Sequence, residues 1–391
     1  MIYHTNKIDT SFTINDILAF HFLGIHLIVL YEQDNEVPKE ISEKATFIKL
    51  AESLPRLSIS LLIKHIFQFI LFVISISFGD WGKIITRNGI IEVLINFQNA
   101  IYKIDSLSAD QMEMIRKESN ILSFWFYDAQ FAIQLKKKVY LQSITARSHR
   151  GDTYEGSIGV RELWLRNYQL KHIDHLYPIS EDAASFIRNL YPSFQNKVSC
   201  LYLGSFKYFD QKNTLTKGAK KIFVSCSWLN NKKNVHQIPE LLSHLKFNFH
   251  WYHFGSGPHE WEQKVNDSIE KFGLIDKCTL MGKTENKQIQ KFYSENNIDA
   301  FISLSSTEGV PVSFMEAISY GITVFATNVG GNREIVNDTT GKLVKLETPI
   351  KEIADSLSEL ISTDNENKKA SRIVFWENHF NILSNNKSLL N

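Results

Sequence analysis

From Lys220 onward, short apolar runs alternate with amphipathic stretches, and this alternation narrows the fold more than anything else in the chain. The runs KKIFVSCS, FNFHWYHFG, KCTLMG, DAFISLS, TVFATN and GKLVKL have the length and the β-branched or aromatic content of buried strands. Between them NVHQIPELLSHL, PHEWEQKVNDSIEKFG, KQIQKFYSEN, VSFMEAISYG and NREIVN carry helical spacing. Strands separated by helices pair most readily as a parallel sheet with helices packed on its faces. This half is therefore expected to be a doubly wound α/β domain.

The first half is less regular. IHLIVLYE, GIIEVLI, ILSFWF, VYLQSITARS, HLYPIS and VSCLYLG read as strands, with DAQFAIQLKK and GVRELWLRNYQLKHI as helical stretches between them. A second doubly wound, Rossmann-like domain follows, and a length of 391 residues suits two domains. KYFDQKNTLTKG, residues 207–218, lacks apolar periodicity and reads as a linker. The expected layout is an N-terminal domain over 1–206 and a C-terminal domain over 219–372. Two such domains facing each other would form a cleft at the C-terminal ends of both sheets, where open α/β sheets take their ligands.

Composition removes other classes. With 43% hydrophobic and 22% charged residues and a net charge of +1, the chain is neither disordered nor a nucleic-acid-coating protein, and no nucleic-acid partner is expected. Cys200, Cys226 and Cys278 are odd in number and form no C-x-x-C, so neither a disulfide framework nor a zinc knuckle is indicated, and a reducing cytoplasm fits best. MIYHTNKIDTSF has no basic run leading into an apolar core and does not read as a secretory signal. Residues 57–78, LSISLLIKHIFQFILFVISISF, are long enough to span a bilayer, but Lys64, His65 and Gln68 near the middle argue against it. The segment reads as a helix buried in the core. The alternative is a helix lying on the membrane surface, with Arg56, Lys64, Lys83 and Arg87 toward anionic headgroups.

STEGVPVSFMEAISYG, residues 306–321, holds Glu308 and Glu316 eight positions apart. DAFISLS ends as a strand, STEG forms a loop, Pro311 suits the first turn of a helix, and Gly321 closes that helix. Glu308 then stands on a loop above the sheet and Glu316 inside the helix. Carboxylates so placed accept hydrogen bonds from neighbouring hydroxyls, as a sugar or ribose offers. The spacing alone carries little weight, because glutamate pairs at this distance are common.

The surroundings carry more. STEGVPVSFMEAISYGITVFATNVGGNREIV resembles the donor-binding signature of retaining glycosyltransferases of GT-B fold, the large group 1 family that uses nucleotide-activated sugars. The likeness extends over residues 220–345 in the expected order: VSCSWLNNKKNV, HFGSGP, LMGKT, the glutamate motif and NVGGNREIV. It implies that Glu308 and the main chain of Gly309 and Val310, ahead of Pro311, meet the donor sugar, and that Glu316 holds the ribose hydroxyls. It also implies that Lys233, with Lys232 beside it, offsets the diphosphate. Gly255, Gly257 and Pro258 would form a tight turn that lets backbone approach the nucleotide, and Gly282 and Lys283 would sit beside the base. Plain turns explain these last two segments almost as well. G-x-G after a strand also opens the dinucleotide fingerprint, but Glu260 stands where its third glycine belongs, which disfavours an NAD oxidoreductase.

In the first half, ITARSHRGDTYE resembles the family's strand-end motif whose histidine points toward the sugar. This implies a catalytic role for His149, beside Glu308, with Arg147 and Asp152 as acceptor-side neighbours. SFWFYDAQ, with Trp125 and Asp128, resembles the acceptor-side segment, and PISED, residues 178–182, a loop near the domain interface. Residues 373–391 resemble the closing helix that crosses back to the N-terminal domain.

Two departures stand out. Trp228 falls where the family carries the arginine of its phosphate-binding pair, so the bidentate grip of a guanidinium is missing and Lys232, Arg147, Arg150 or the main-chain N–H groups at the start of the helix after Asn234 would have to help. MIYHTNKIDTSFTINDIL lacks the glycine of the family's first loop. No Asp-x-Asp triplet occurs, so the diphosphate's charge is expected to be met without a metal ion and without any cofactor beyond the UDP- or GDP-sugar itself. The resemblance thus implies a metal-independent retaining hexosyltransferase acting on a glycan or lipid-linked acceptor, cytoplasmic and in peripheral contact with the membrane, in capsule, exopolysaccharide or lipopolysaccharide synthesis. The alternative from another class is an inactive relative that binds a partner or glycan, for which Trp228 and the missing glycine speak.

Overall fold

The structure is a computed structural model that describes residues 1–6, 8, 11–32, 36–54, 56–76, 80, 84, 87–154, 165–211 and 220–390. Two compact units divide the chain: Met1–Tyr202 with Asn386–Asn391, and Leu203–Asn385.

The strands of the first unit are β1 (Ile2–His4), β2 (Ile28–Tyr31), β3 (Thr46–Lys49), β4 (Asn120–Ser123), β5 (Ser143–Ser148) and β6 (His175–Pro178). Its helices are α1 (Ser11–Phe22), α2 (Ile59–Lys64), α3 (Ile66–Ser75), α4 (Arg87–Asp105), α5 (Ala109–Arg116), α6 (Ala129–Leu135), α7 (Arg150–Thr153), α8 (Arg166–His172) and α9 (Glu181–Leu190). All six strands are parallel, in the order β3-β2-β1-β4-β5-β6. This is the doubly wound order, in which the chain winds outward from β1 and then returns to lay β4 on its other side. The strand residues Ile2, Ile28, Leu30, Ile121 and Ile144 form the core together with Val93, Phe97 and Ile101 of α4.

The second unit repeats the plan with β7 (Lys221–Cys226), β8 (Phe249–Phe254), β9 (Cys278–Leu280), β10 (Ala300–Ser303), β11 (Val324–Thr327) and β12 (Gly341–Val344), in the order β12-β11-β10-β7-β8-β9. Around them lie α10 (Ile238–Ser243), α11 (His259–Lys271), α12 (Asn286–Glu295), α13 (Val312–Ser319), α14 (Asn332–Ile335), α15 (Ile350–Thr363) and α16 (Glu366–His379). A last helix, α17 (Ile382–Lys387), runs across the division between the units. Every strand and helix read from residues 220–345 is present here, and the fold is α/β with two doubly wound sheets.

Several first-half expectations are corrected. GIIEVLI is not a strand but the start of α4, whose Val93, Phe97, Ala100, Ile101 and Ile104 are buried at helical spacing. Seven residues were too short a window to show that period. VSCLYLG forms no strand; it runs beside β6 through a single bridge, Val198 with Leu176. β1, at the very start of the chain, and β3 were not read as strands, yet β1 lies at the centre of the sheet. Residues 207–209 are not free linker: the Tyr208 and Phe209 amides donate to Gln290 Oε1 and Tyr320 Oη, at 3.2 Å each. The remainder of the linker, 212–218, lies outside the described residues, as do 159–164 of the second helical stretch. Of the C-terminal segment only 386–391 belong to the first unit, while α16 packs on α13 within the second.

The buried-helix reading of 57–78 also fails. His65 breaks the segment into α2 and α3; α2 buries no residue and α3 buries only Phe72. Among the described residues no helix is long and apolar enough to cross a membrane.

Candidate active site

In the second sheet the strand order reverses between β7 and β10, so the loops leaving these two strands flank a crevice at their C-terminal ends. Hydrogen bonds join the loops. Lys233 Nζ donates to Glu308 Oε1 at 2.6 Å, the Ser306 amide and Oγ to the Lys232 carbonyl at 2.7 and 3.2 Å, and Asn234 Nδ2 to the Leu304 carbonyl at 3.0 Å. The turn that presents Lys233 is shaped by Asn230, whose Oδ1 accepts from the amides of Lys232 and Lys233, and by the left-handed conformation of Asn234, φ 50°. The Lys232 side chain is exposed; Lys233 is half-buried beside its carboxylate partner. Trp228 projects from the same loop at 56% exposure.

Behind Glu308 stands the glycine pair of NVGGNREIV. A Cβ at Gly330, φ 50°, would lie 2.0 Å from the Glu308 carbonyl oxygen, and one at Gly331 would lie 2.3 Å from that of Gly309. Only glycine lets this backbone support the glutamate loop so closely. At Gly309 itself nothing lies within 4 Å of an added Cβ, so that position faces open space.

Glu316 is buried in α13, and burial raises its carboxyl pKa to about 7 against the opposing hydrogen bond from Asn286. Asn286 Nδ2 donates to Glu316 Oε1 at 2.6 Å, Gln290 Nε2 donates to Asn286 Oδ1 at 3.0 Å, and Tyr320 Oη donates to Gln290 Oε1 at 3.0 Å. This relay of neutral groups orients the carboxyl without a cation. Sequence reasoning missed Asn286 and Gln290; their spacing on one face of α12 is the signal, and it is common to many helices. Cys226, at the end of β7, is no nucleophile, since burial and then Glu316 push its thiol to about 12.

The glycines of HFGSGP answer to packing. A Cβ at Gly255, φ 135°, would lie 1.9 Å from the Ser227 carbonyl oxygen, and one at Gly257 would lie 2.4 Å from that of Leu229. The turn thus supports the loop that carries Trp228 and Lys233, and Pro258 caps α11 behind it. The Gly255 amide donates to the Gly282 carbonyl at 2.9 Å, Gly282 is left-handed with open space around it, and the Lys283 side chain is exposed. The segment after Asn234 opens as a three-residue 3-10 turn before the six-residue α10, so it offers no extended helix N-terminus to an anion.

In the first unit, His149 follows β5 at the N-cap of α7, with its ring centroid 4.5 Å from those of Trp125 and Phe124. Its Nε2 meets the Phe124 carbonyl at 3.0 Å, and burial, then Arg147, lower its pKa to about 3, so the ring is neutral. Asp152 is fully buried and accepts from the amides of Phe126 and His149 at 2.6 Å each; burial raises it to about 6. It binds the loop together and is not free for an acceptor. Arg147 is corrected likewise: its guanidinium holds Asp16 and donates to Asn386 Oδ1 at 2.6 Å, and at 0% exposure it is out of reach of a phosphate. Arg150 begins α7 with its side chain exposed.

Trp125 and Asp128 do share a cavity, of about 680 Å³, with His4, Glu32 and Lys103 at the C-terminal end of the first sheet. Asp128 Oδ2 has no partner, and burial holds its carboxyl well above the usual range. For Glu32 burial raises the pKa, but His4 and the Lys103 ammonium outweigh it and bring it to about 2. His4, Glu32 and Lys103 were not anticipated, because β1 was not read as a strand. Among the described residues no group of three or more His, Cys, Asp or Glu could hold a metal ion.

Two doubly wound parallel sheets, with a crevice carrying Lys233, Glu308 and Glu316 at the strand-order reversal of the second, define an α/β architecture of paired Rossmann-like units. Solved structures place it as the two-domain GT-B fold: lipopolysaccharide outer core galactosyltransferase WaaB is similar with a TM-score of 0.65 and 13% identity, over 100% of this chain and 97% of that one. Anabaena Alr3699/HepE in complex with UDP is similar with a TM-score of 0.67 and 12% identity, also over 100% and 97%. Residues 207–374 match the model of the glycosyl transferases group 1 family. A curated relative, the putative colanic acid biosynthesis glycosyltransferase WcaL of Salmonella typhimurium, is 26% identical over 165 residues. That stretch covers 40% of this chain and 40% of the relative, well under two thirds of its length.

Proposed function

We propose that the protein is a retaining glycosyltransferase that moves a sugar from a UDP- or GDP-sugar to a glycan or lipid-linked acceptor in cell-surface polysaccharide synthesis. The observation that carries this reading is the Lys233–Glu308 pair, which holds a cation and a carboxylate together at the reversal of the second sheet, with Glu316 one helix further on. A diphosphate entering this crevice competes with Glu308 for the Lys233 ammonium. Lys233 then balances the leaving group, and the released Glu308 carboxylate accepts hydrogen bonds from the donor sugar beside the main chain of Gly309 and Val310. Glu316 takes the ribose hydroxyls, and Gly282 and Lys283 flank the base.

In the retaining reaction the bond from the sugar's anomeric carbon to the diphosphate oxygen breaks. The acceptor oxygen bonds to the same face of that carbon, and the acceptor proton passes to the departing phosphate. No protein nucleophile is required, in keeping with the protonated Cys226. His149, neutral and hydrogen-bonded to Phe124, acts by position and not by proton transfer. Lys233 carries the charge in place of a metal. Support comes from the names of similar proteins: WcaL is assigned to colanic acid biosynthesis, and HepE was solved with UDP and with UDP-glucose.

Thermal-shift screening of UDP- and GDP-sugars tests the reading. The expected result is stabilisation by one donor that Glu316→Ala and Lys233→Ala abolish. Absence of stabilisation by any donor, together with absence of donor hydrolysis, would favour the inactive relative for which exposed Trp228 argues.

A further inference from the structure

Helices α2 and α3 are apolar on two opposite sides. One side meets the core of the first unit: Phe72 stacks on Phe97 at 4.7 Å and sits edge-on to Tyr168 at 5.3 Å. The other side presents Ile66, Phe67, Ile70, Leu71 and Ile74 of α3, all exposed, at the i, i+4, i+8 spacing of a stripe on one helical face, with Ile63 of α2 exposed just before the break at His65. Phe67 is 70% and Ile74 73% exposed. A helix apolar on all sides is normally buried. Here roughly half of the large apolar side chains exposed among the described residues fall between Leu57 and Ile91, a concentration that marks an interaction surface.

Charge identifies what covers it. No acidic residue stands in sequence between Glu52 and Asp80, and Arg56 and Lys64 border the stripe, the Lys64 ammonium 2.7 Å from Asp105 Oδ2. An apolar helix face whose own segment carries basic and no acidic residues is the pattern that suits an anionic lipid surface. The six- and ten-residue helices are too short to span a bilayer and suited to lie in its surface. Beside them a cavity of about 700 Å³, lined by Arg56, Leu57, Leu61, Lys64 and Tyr102, shares Leu54 as a wall with the polar cavity that holds Glu32, Lys103 and Asp128. Apolar helices, a basic rim and then a buried polar chamber follow the polarity of a lipid-carried saccharide from tail to head.

We propose that the α2–α3 stripe docks in the plane of an anionic bilayer and so presents the polar cavity of the first unit to an acceptor carried by lipid. The acceptor's part in this rests on the transferase reading; the docking does not.

The test is flotation of the full-length protein with phosphatidylcholine vesicles, with and without phosphatidylglycerol, in the absence of any nucleotide sugar. The wild type is expected to float with the anionic vesicles and to be released by high salt. Phe67→Ser/Ile70→Ser/Ile74→Ser should bind at least about tenfold less while keeping its melting temperature and its stabilisation by donor. Should the triple variant not fold, Phe67→Ser alone should still weaken binding severalfold. Wild type that stays with the soluble fraction, or variants that float as well as wild type, would overturn the proposal. So would a dimer that the substitutions dissociate while vesicles bind neither protein. Vesicle binding without donor stabilisation would leave the docking standing and sink the transferase reading alone.

Discussion

Lys233 Nζ lies 2.6 Å from Glu308 Oε1, which ties the loop after β7 to the loop after β10 at the reversal of the second sheet. With side chains only 25% and 10% exposed, this pair is partly withdrawn from water, and removing either partner strands the other. Lys233→Ala should cost about 1–3 kcal/mol of stability and about 100-fold in transfer rate. Denaturant melts and a coupled nucleotide-release assay measure the two effects; a Lys233→Ala enzyme at wild-type rate would remove this residue from the reaction.

Glu316 makes both stability and donor affinity depend on pH. Its folded pKa of about 7 lies above that of the unfolded chain, so its contribution to stability is complete below about pH 4.5 and is lost as pH rises through about 7. Ribose hydroxyls favour the ionised form, so UDP affinity should fall as pH drops from 8 to 6. Calorimetric titration across that range should show the trend in wild type and its absence in Glu316→Gln.

The glycines at the site separate support from contact. Gly330→Ala drives a Cβ to 2.0 Å from the Glu308 carbonyl at a positive φ, so it should destabilise the second unit by about 1–3 kcal/mol and erase donor stabilisation. Gly309→Ala meets no atom within 4 Å, so its melting temperature should stay at the wild-type value. If the Gly309 main chain meets the donor sugar, the same variant should raise KM for the donor; unchanged kinetics would place the sugar elsewhere.

Arg147 is a structural cross-tie and not an acceptor-side cation. Asp16 accepts from its guanidinium, from Tyr3 Oη at 3.0 Å and from Asn386 Nδ2 at 3.0 Å, all buried. Arg147→Met should cost about 3–5 kcal/mol, because it leaves the Asp16 carboxylate buried without its cation. KM for the acceptor should not change in the folded fraction, as steady-state kinetics below the melting transition would reveal.

Charge balance by Lys233 in place of a divalent cation predicts that EDTA leaves transfer unchanged. Loss of activity in EDTA with recovery in manganese would refute this account of the leaving group.

The second unit was legible in sequence because its strands are short buried runs bounded by turn residues, and helices such as α11 and α12 repeat their apolar positions over ten or more residues. The first unit was harder to read. The β-branched start of α4 has a strand's composition, and only its continuation to Ile104 reveals the helical period. β1 is three residues long at the chain's beginning, and its status as the central strand comes from pairing with β2 and β4, not from its own letters.

What the sequence determined by itself is local: where strands and helices lie, which loops need glycine, and which motif surrounds Glu308 and Glu316. Those features arise from interactions among residues a few positions apart, whose periods are written along the chain. Tertiary structure alone decided which side chains meet. Lys233 reaches a carboxylate 75 residues away because β10 returns beside β7, Arg147 is spent on Asp16 and Asn386, and the stripe from Ile63 to Ile74 is left facing outward. The order of strands in a sheet and the faces their helices cover depend on contacts between distant segments, and no local pattern encodes them.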